Sequence, residues 1–175
     1  ATHIFMQFCD FENLGKNGFE AECERLIQRR YIPEKYRDMI RKDYIDGFLK
    51  SGLYGEITAA KQLRREVRFN IRLPAAEFTS DERSKLELEN ENVLVQGIID
   101  CIIIGGDGSV TVVDYKTDSF PYGMIKSGEA EKALKERHSA QLSYYRLACE
   151  QILCRKVDRL LIYSFALGKT IDIGQ

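Results

Sequence analysis

Two acidic residues and one lysine are the positions most able to do chemistry, because they interrupt otherwise apolar sequence. Asp100 and Asp114 each follow a pair of β-branched residues, and Lys116 comes two positions after Asp114. Between these segments lies a turn-forming stretch, Gly105-Gly106-Asp107-Gly108-Ser109. A hairpin turn centred on Asp107 pairs residues whose numbers sum to 214, so it predicts that Asp100 faces Asp114.

Two facing carboxylates need a positive partner. Directly opposed residues have Cβ atoms about 4.5–5.5 Å apart, and like charges at that distance destabilise a sheet. An unpaired carboxylate in apolar surroundings is also costly. A hard divalent cation satisfies both demands, because Mg²⁺ is commonly held by one or two carboxylates, with waters and phosphate oxygens completing its shell.

Strand alternation places Lys116 beside this pair. Side chains point to opposite faces in turn, so Asp114 and Lys116 share one face and Tyr115 lies on the other. A metal lowers the pKa of water, and a neighbouring ammonium can orient that water or stabilise a phosphoryl transition state. The alternative is an Asp114–Lys116 salt bridge on a solvated face, and a register slip of one residue would remove the argument.

The elements that must position these residues divide the chain into a helical part, 1–62, and a sheet-containing part, 63–175. In the first part we expect an amphipathic helix over 19–30, one helix after Pro33 and a short helix over 53–62. The helix after Pro33 rests on an apolar stripe that comprises Tyr36, Ile40, Tyr44 and Phe48.

The second part predicts a mixed α/β sheet of four to five strands flanked by helices. Strands are expected over 67–72, 93–104, 110–116, 160–165 and 170–173. A polar loop is expected over 75–91 and a helix over 128–153. Because that helix crosses back over a three-stranded meander, the next strand should run parallel to one member of it.

Composition excludes several classes of protein. With 175 residues, 44% hydrophobic and 30% charged, the chain is expected to fold as one domain rather than to remain disordered. It has no apolar run of membrane-spanning length and no signal peptide, so no membrane partner is expected. Twenty-six basic against 27 acidic residues leave a net charge of −1, so nucleic-acid binding would depend on local patches.

The five cysteines include no CxxC pair, which argues against a structural zinc or an iron–sulfur cluster. No G-x-x-x-x-G-K-[ST] signature is present, so no nucleotide site is expected within these residues. The chain begins at Ala1 without an initiator methionine, and we expect it to be a piece of a longer protein.

Several motifs, in this order, resemble the PD-(D/E)XK nuclease superfamily. Within it the likeness is to the RecB-like nuclease domain, and most nearly to the C-terminal domain of the AddA-type subunit of bacterial ATP-dependent helicase–nucleases. The matching segments are His3–Gln7, Arg65–Phe69, Val95–Asp100 (G-x-x-D), Val113–Asp118 (D-Y-K-T-D), Gln141–Tyr145 (Q-x-x-x-Y) and Tyr163–Leu167.

The resemblance implies a restriction-endonuclease-like core and assigns roles to particular residues. Asp100, Asp114, His3 and the backbone carbonyl of Tyr115 would bind Mg²⁺, for which Mn²⁺ would substitute, and Lys116 would be the catalytic lysine. Gln141 and Tyr145 would position the DNA backbone or the lysine; the alternative is a core glutamine beside a packing tyrosine. For Glu66, a site role and an ion pair with Arg64 or Arg65 remain open.

The function implied is a Mg²⁺-dependent exodeoxyribonuclease that hydrolyses single-stranded DNA in double-strand-break repair and recombination. Its partners would be single-stranded DNA, a helicase motor domain in the full-length protein and a second helicase–nuclease subunit. Its location would be the bacterial cytoplasm, in association with the nucleoid. The alternative is a catalytically silent module that binds DNA or a partner subunit.

Overall fold

The computed structural model describes residues 1–174, which form seven α-helices and five strands. The helices are α1 (Thr2–Phe8), α2 (Phe11–Gln28), α3 (Lys42–Leu49), α4 (Gly52–Thr58), α5 (Glu82–Glu87), α6 (Tyr122–Ser127) and α7 (Glu129–Leu153). The strands are β1 (Gln62–Pro74), β2 (Asn92–Ile104), β3 (Val110–Lys116), β4 (Arg159–Ser164) and β5 (Lys169–Asp172). None of the helices within residues 1–174 is both long enough and apolar enough to cross a membrane.

The five strands form one mixed sheet in the order β1-β2-β3-β4-β5. The first three form an antiparallel meander, β4 runs parallel to β3, and β5 returns antiparallel to β4. The crossover from β3 to β4 contains α7, which is the kind of connection that parallel pairing requires. The predicted parallel fourth strand is therefore confirmed.

The sheet lies between two layers of helices. One buried cluster joins α1–α4 to the face that carries Val113 and Tyr115, and the other joins α7 to the face that carries Val110 and Val112. Alternation along β3 thus assigns its side chains to the two layers in turn. This arrangement confirms the predicted mixed α/β fold of the restriction-endonuclease-like type.

The alternation of β1 and β2 reverses at one point. Leu63 packs with the α1–α4 layer, whereas Val67, four residues later, packs with the α7 layer. Between them Glu66 has a φ of 52°, and the paired rungs pass from Arg65↔Cys101 to Val67↔Ile99 without a Glu66 rung. Because Glu66 stands across from Asp100, the reversal falls beside the acidic pair.

Two predictions about the helical part were wrong in detail. The stripe after Pro33 is not one helix, because Ile40 and Arg41 are extended and separate a 3-10 helix, Glu34–Met39, from α3. The amphipathic segment begins at Phe11 rather than Phe19, where the side chain of Asp10 caps the helix by accepting from the backbone N–H of Asn13.

The polar segment 75–91 is more ordered than a loop. It contains a 3-10 helix, Ala75–Phe78, and α5, which Asp81 caps by accepting from the backbone N–H of Ser84. The strand expected over 67–72 extends from Gln62 to Pro74. Its first half was missed because residues 62–66 are uniformly half-buried or exposed, so they show no apolar alternation.

Candidate active site

Asp100 and Asp114 lie at the end of the β2–β3 ladder. The paired rungs run from Ile104↔Val110 to Cys101↔Val113, whose numbers sum to 214, so the register predicted from the turn is confirmed. One step further along the strands, Asp100 accepts a hydrogen bond through Oδ2 from the backbone N–H of Tyr115 at 2.8 Å. Asp100 is thereby held against β3 beside Asp114.

Asp114 is a buried carboxylate with unused hydrogen-bonding capacity. Its side chain is 1% exposed, and its Oδ2 atom has no hydrogen-bond partner among residues 1–174. The Lys116 ammonium lies 2.7 Å from Oδ2, an ion pair by distance without the angles of a hydrogen bond. Burial raises the pKa of Asp114 to about 6; Lys116 opposes this rise, and the negative charge of Asp100 adds to it.

Lys116 is fixed by a chain of contacts from α7. Its Nζ atom donates to Gln141 Oε1 at 3.1 Å, and Gln141 Nε2 donates to the Tyr145 hydroxyl at 2.6 Å. The spacing of four residues puts both α7 side chains on one helix face. Because Gln141 contacts the lysine itself, the structure favours the positioning role over that of a core glutamine that merely packs.

The pairing of acid and lysine is not a solvated surface salt bridge. The Lys116 side chain is 14% exposed and that of Asp114 is 1% exposed, whereas a surface pair would leave both largely in water. A desolvated acid and base at the end of a sheet match the environment of groups whose charge does chemical work.

His3 reaches the site from α1 on the other side of the sheet. Its Nε2 donates to the Tyr115 carbonyl at 2.6 Å and lies 3.9 Å from Asp100 Oδ2. Two groups that the sequence proposes as metal ligands, the His3 imidazole and the Tyr115 carbonyl, are therefore bonded to each other. Metal binding by His3 requires this hydrogen bond to break and Nε2 to lose its proton.

The position of α1, which carries His3, depends on Arg65. The Arg65 guanidinium donates to the carbonyls of Met6 and Cys9 at 3.0 and 2.7 Å, at the end of the helix where carbonyls lack partners, and it stacks over Phe11. Arg65 is therefore a structural residue. In the described part of the chain neither Arg64 nor Arg65 forms an ion pair with Glu66, which removes that alternative.

The donor set fits a hard divalent cation. Within residues 1–174 no three His, Cys, Asp or Glu side chains form a preassembled metal-binding group, so the site offers a carboxylate pair rather than a closed cage. A pair of buried carboxylates with one oxygen lacking a partner is the donor set of an open site that leaves positions for water and phosphate oxygens.

Two residues near the site were not recognised, or not resolved, from the sequence. His138 lies one turn before Gln141 on α7; its Nε2 is 3.7 Å from Asp118 Oδ2, and burial and the charge of Lys116 lower its pKa. Glu66 faces Asp100, and burial and then that negative charge raise its pKa. The signal for His138 was its spacing of three from Gln141; nothing in the sequence signals the positive φ of Glu66.

Comparison with known proteins decides the family. A family model described as the PD-(D/E)XK nuclease superfamily matches residues 7–169, most of the chain. This chain belongs to the PD-(D/E)XK nuclease superfamily. Nucleases of this superfamily generally use divalent metal ions, in keeping with the open acidic site.

Curated relatives within the superfamily match the chain along almost its whole length. Proteins named as the ATP-dependent helicase/nuclease subunit of type A are 32% identical in Heliobacterium modesticaldum over 99% of this chain, 34% identical in Thermoanaerobacter pseudethanolicus over 98%, and 32% identical in Bacillus cytotoxicus over 100%. The chain covers only 12%, 13% and 14% of those three proteins. It corresponds to a nuclease segment of much longer polypeptides.

Proposed function

We propose that this chain is a Mg²⁺-dependent exodeoxyribonuclease domain that hydrolyses phosphodiester bonds of single-stranded DNA. The observation that supports this most is the buried Asp114 carboxylate, which has an oxygen without a partner, lies beside Asp100 and is 2.7 Å from Lys116. A domain that only bound DNA would gain nothing from burying two repelling carboxylates.

The two aspartates are the residues that would hold the cation. Mg²⁺ is the favoured ion because every donor is an oxygen, and Mn²⁺ accepts the same ligands. When bound, the cation would supply Lewis acidity toward water and the phosphate oxygens. The Tyr115 carbonyl and His3 are the further donors nearest the pair, once the hydrogen bond between them is given up.

Lys116 acts on the substrate rather than on the cation, because an ammonium has no lone pair to donate. With its Nζ directed by Asp114 and Gln141, it can orient the attacking water or stabilise the charge that develops on the phosphate oxygens. Gln141 and Tyr145 are positioning residues, since they fix the lysine and face the path of the strand.

Single-stranded DNA as substrate, and the repair context, are inferred from the relatives. Their names join a helicase with a nuclease, and this chain carries no nucleotide-binding signature, so strand separation would fall to a motor elsewhere in the full-length protein. We further propose that the partner is a second helicase–nuclease subunit, that the role is double-strand-break repair and recombination, and that the location is the bacterial cytoplasm, in association with the nucleoid. A net charge of −1 predicts weak, salt-sensitive DNA binding by this chain alone.

The test is a digestion time course with end-labelled single-stranded and blunt duplex DNA in Mg²⁺, Mn²⁺ and chelator. We expect metal-dependent cleavage that favours the single strand. Lys116→Ala should lose cleavage by about 10²–10⁴-fold yet retain Mn²⁺ affinity by calorimetry. The matched control is Lys169→Ala, which removes an exposed lysine paired with Glu131 and should leave the rate unchanged.

Three results would contradict the proposal. Cleavage that persists in chelator would exclude the metal, and duplex cleaved at least as fast as single strand would exclude the substrate. A Lys116→Ala protein that cuts within a few-fold of wild type would show that the lysine is a structural ion pair, and would favour a silent DNA- or partner-binding module.

A further inference from the structure

A cavity of about 320 Å³ opens between the sheet and α7, next to the residues that hold Lys116. Its volume is at the lower end of the roughly 300–1,000 Å³ typical of small-ligand sites. The walls are formed by Phe69, Val95 and Gly97 from the sheet and by Gln141, Tyr144 and Tyr145 from α7. No charged side chain contributes to this lining.

Gly97 is what allows the sheet side of the cavity to be flat. Phe69 pairs with Gly97 across β1 and β2, and its ring lies over the glycine. A Cβ atom at position 97 would be 2.6 Å from Phe69 Cζ, so any other residue would displace the ring. The glycine of the G-x-x-D motif therefore has a role separate from the nearby aspartate, which is to let an aromatic ring lie against the strand.

The α7 side of the cavity is also aromatic. Tyr145 meets Phe69 edge to face, with ring centroids 5.8 Å apart and an angle of 82°. Tyr144 is half-buried and stacks on Phe78 at 6.1 Å and 18°, and Phe78 is itself 46% exposed. Aromatic surface therefore continues from the cavity to solvent.

The cavity is continuous with the catalytic residues. Gln141 and Tyr145 line it, and Gln141 Oε1 also accepts from Lys116 Nζ. A group that occupies the cavity is thus separated from the lysine by one side chain. A substrate whose phosphate lay at Lys116 would place its adjoining nucleotide at the mouth of this cavity.

We propose that this cavity is a subsite for one nucleobase of the cleaved strand, an inference that rests on the proposed nuclease function. A base has flat apolar faces that stack on aromatic rings, and polar edges that a glutamine amide can meet. A phosphate would have no positive partner within the uncharged lining. Only an unpaired base can enter, so the subsite itself selects against intact duplex.

The test uses single-stranded oligonucleotides in which the base is removed from one successive position at a time. In Mg²⁺ or Mn²⁺, cleavage by the wild type should fall at one phosphodiester bond, at a fixed distance from the missing base. Loss of one base–aromatic stack is worth about 1–3 kcal/mol, which is roughly a 5- to 150-fold rise in KM.

Two variants remove the subsite from opposite walls, and one serves as a control. Tyr144→Ala keeps a strong helix former on α7 and should make cleavage independent of the missing base. Gly97→Ala should do the same by displacing Phe69. Leu147→Ala changes a residue of α7 that is 37% exposed and lies outside the cavity lining, so its pattern should match the wild type.

A second measurement separates this inference from the proposed function. A fluorescent adenine analogue in the strand, measured in chelator, should be quenched by wild type and not by Tyr144→Ala. Uniform cleavage of every abasic oligonucleotide by the wild type, or an unchanged pattern in Tyr144→Ala, would overturn the subsite. If no metal supports cleavage, the nuclease proposal fails, and quenching alone then supports or refutes the subsite.

Discussion

Asp114→Asn tests the buried acidic pair through the stability of the metal-free protein. Burial raises the pKa of Asp114 from 3.8 to about 6, so the folded protein binds this proton more tightly than the unfolded chain does. Stability should therefore fall as the pH rises from about 4 to above 6. At about 1.4 kcal/mol per pKa unit, the ionised carboxylate costs roughly 3 kcal/mol at pH 7.5.

Asparagine has the same shape as aspartate and cannot ionise. In chelator at about pH 7.5, Asp114→Asn should raise the free energy of unfolding by up to roughly 3 kcal/mol, and the gain should shrink to under about 1 kcal/mol near pH 4. Urea denaturation across this pH range measures both values. Asp38→Asn, at an exposed position, is the control for loss of a charge and should show no such pH-dependent gain.

A saturating divalent ion should reverse this order. Binding to the folded state at about 100 times Kd stabilises the wild type by roughly 2.7 kcal/mol, and the variant, which lacks one ligand, should gain much less. If Asp114→Asn is instead less stable than wild type at every pH above 6 in chelator, then the Lys116 ion pair outweighs the burial of the carboxylate, and the argument for a site strained by its own charge is refuted.

Three further substitutions test separate parts of the structure. Asp100→Asn keeps an oxygen for the Tyr115 N–H, so the fold should persist while the rise in Tm with Mn²⁺ is lost; a retained rise would exclude Asp100 as a ligand. Glu66→Asn should stabilise the protein by on the order of 1 kcal/mol, because asparagine tolerates the φ of 52°, whereas Glu66→Gln, which keeps the strain, should not. Glu22→Gln should cost near the lower end of 3–5 kcal/mol in chemical denaturation, because it leaves the Arg25 guanidinium without its fully buried partner; a loss below about 1 kcal/mol would contradict this.

The parts of the site that the sequence predicts are those set by local rules. A glycine-rich turn fixes the hairpin register, and alternation then places Asp114 and Lys116 on one face. Helical spacing likewise pairs Gln141 with Tyr145. Each of these inferences spans few residues, so little else in the fold can override it.

What the sequence does not predict depends on contacts between distant segments. The hydrogen bond between His3 and Tyr115 joins residues 112 positions apart, and it engages two expected metal ligands with each other. The apolar stripe after Pro33 has the right period for one helix, yet the chain breaks at Ile40, whose side chain is buried in the α1–α4 layer. Packing of that side chain overrides the local periodicity.

The reversal of alternation at Glu66 makes the active site the seam between two hydrophobic cores. The part of β1 before this residue belongs to the layer that carries His3, and the part after it belongs to the layer that carries Gln141. Loosening of the first core would displace the imidazole and leave the lysine in place, whereas loosening of the second would release the lysine and leave the imidazole. Metal affinity and strand positioning are therefore separable properties, each tied to the integrity of a different half of the molecule.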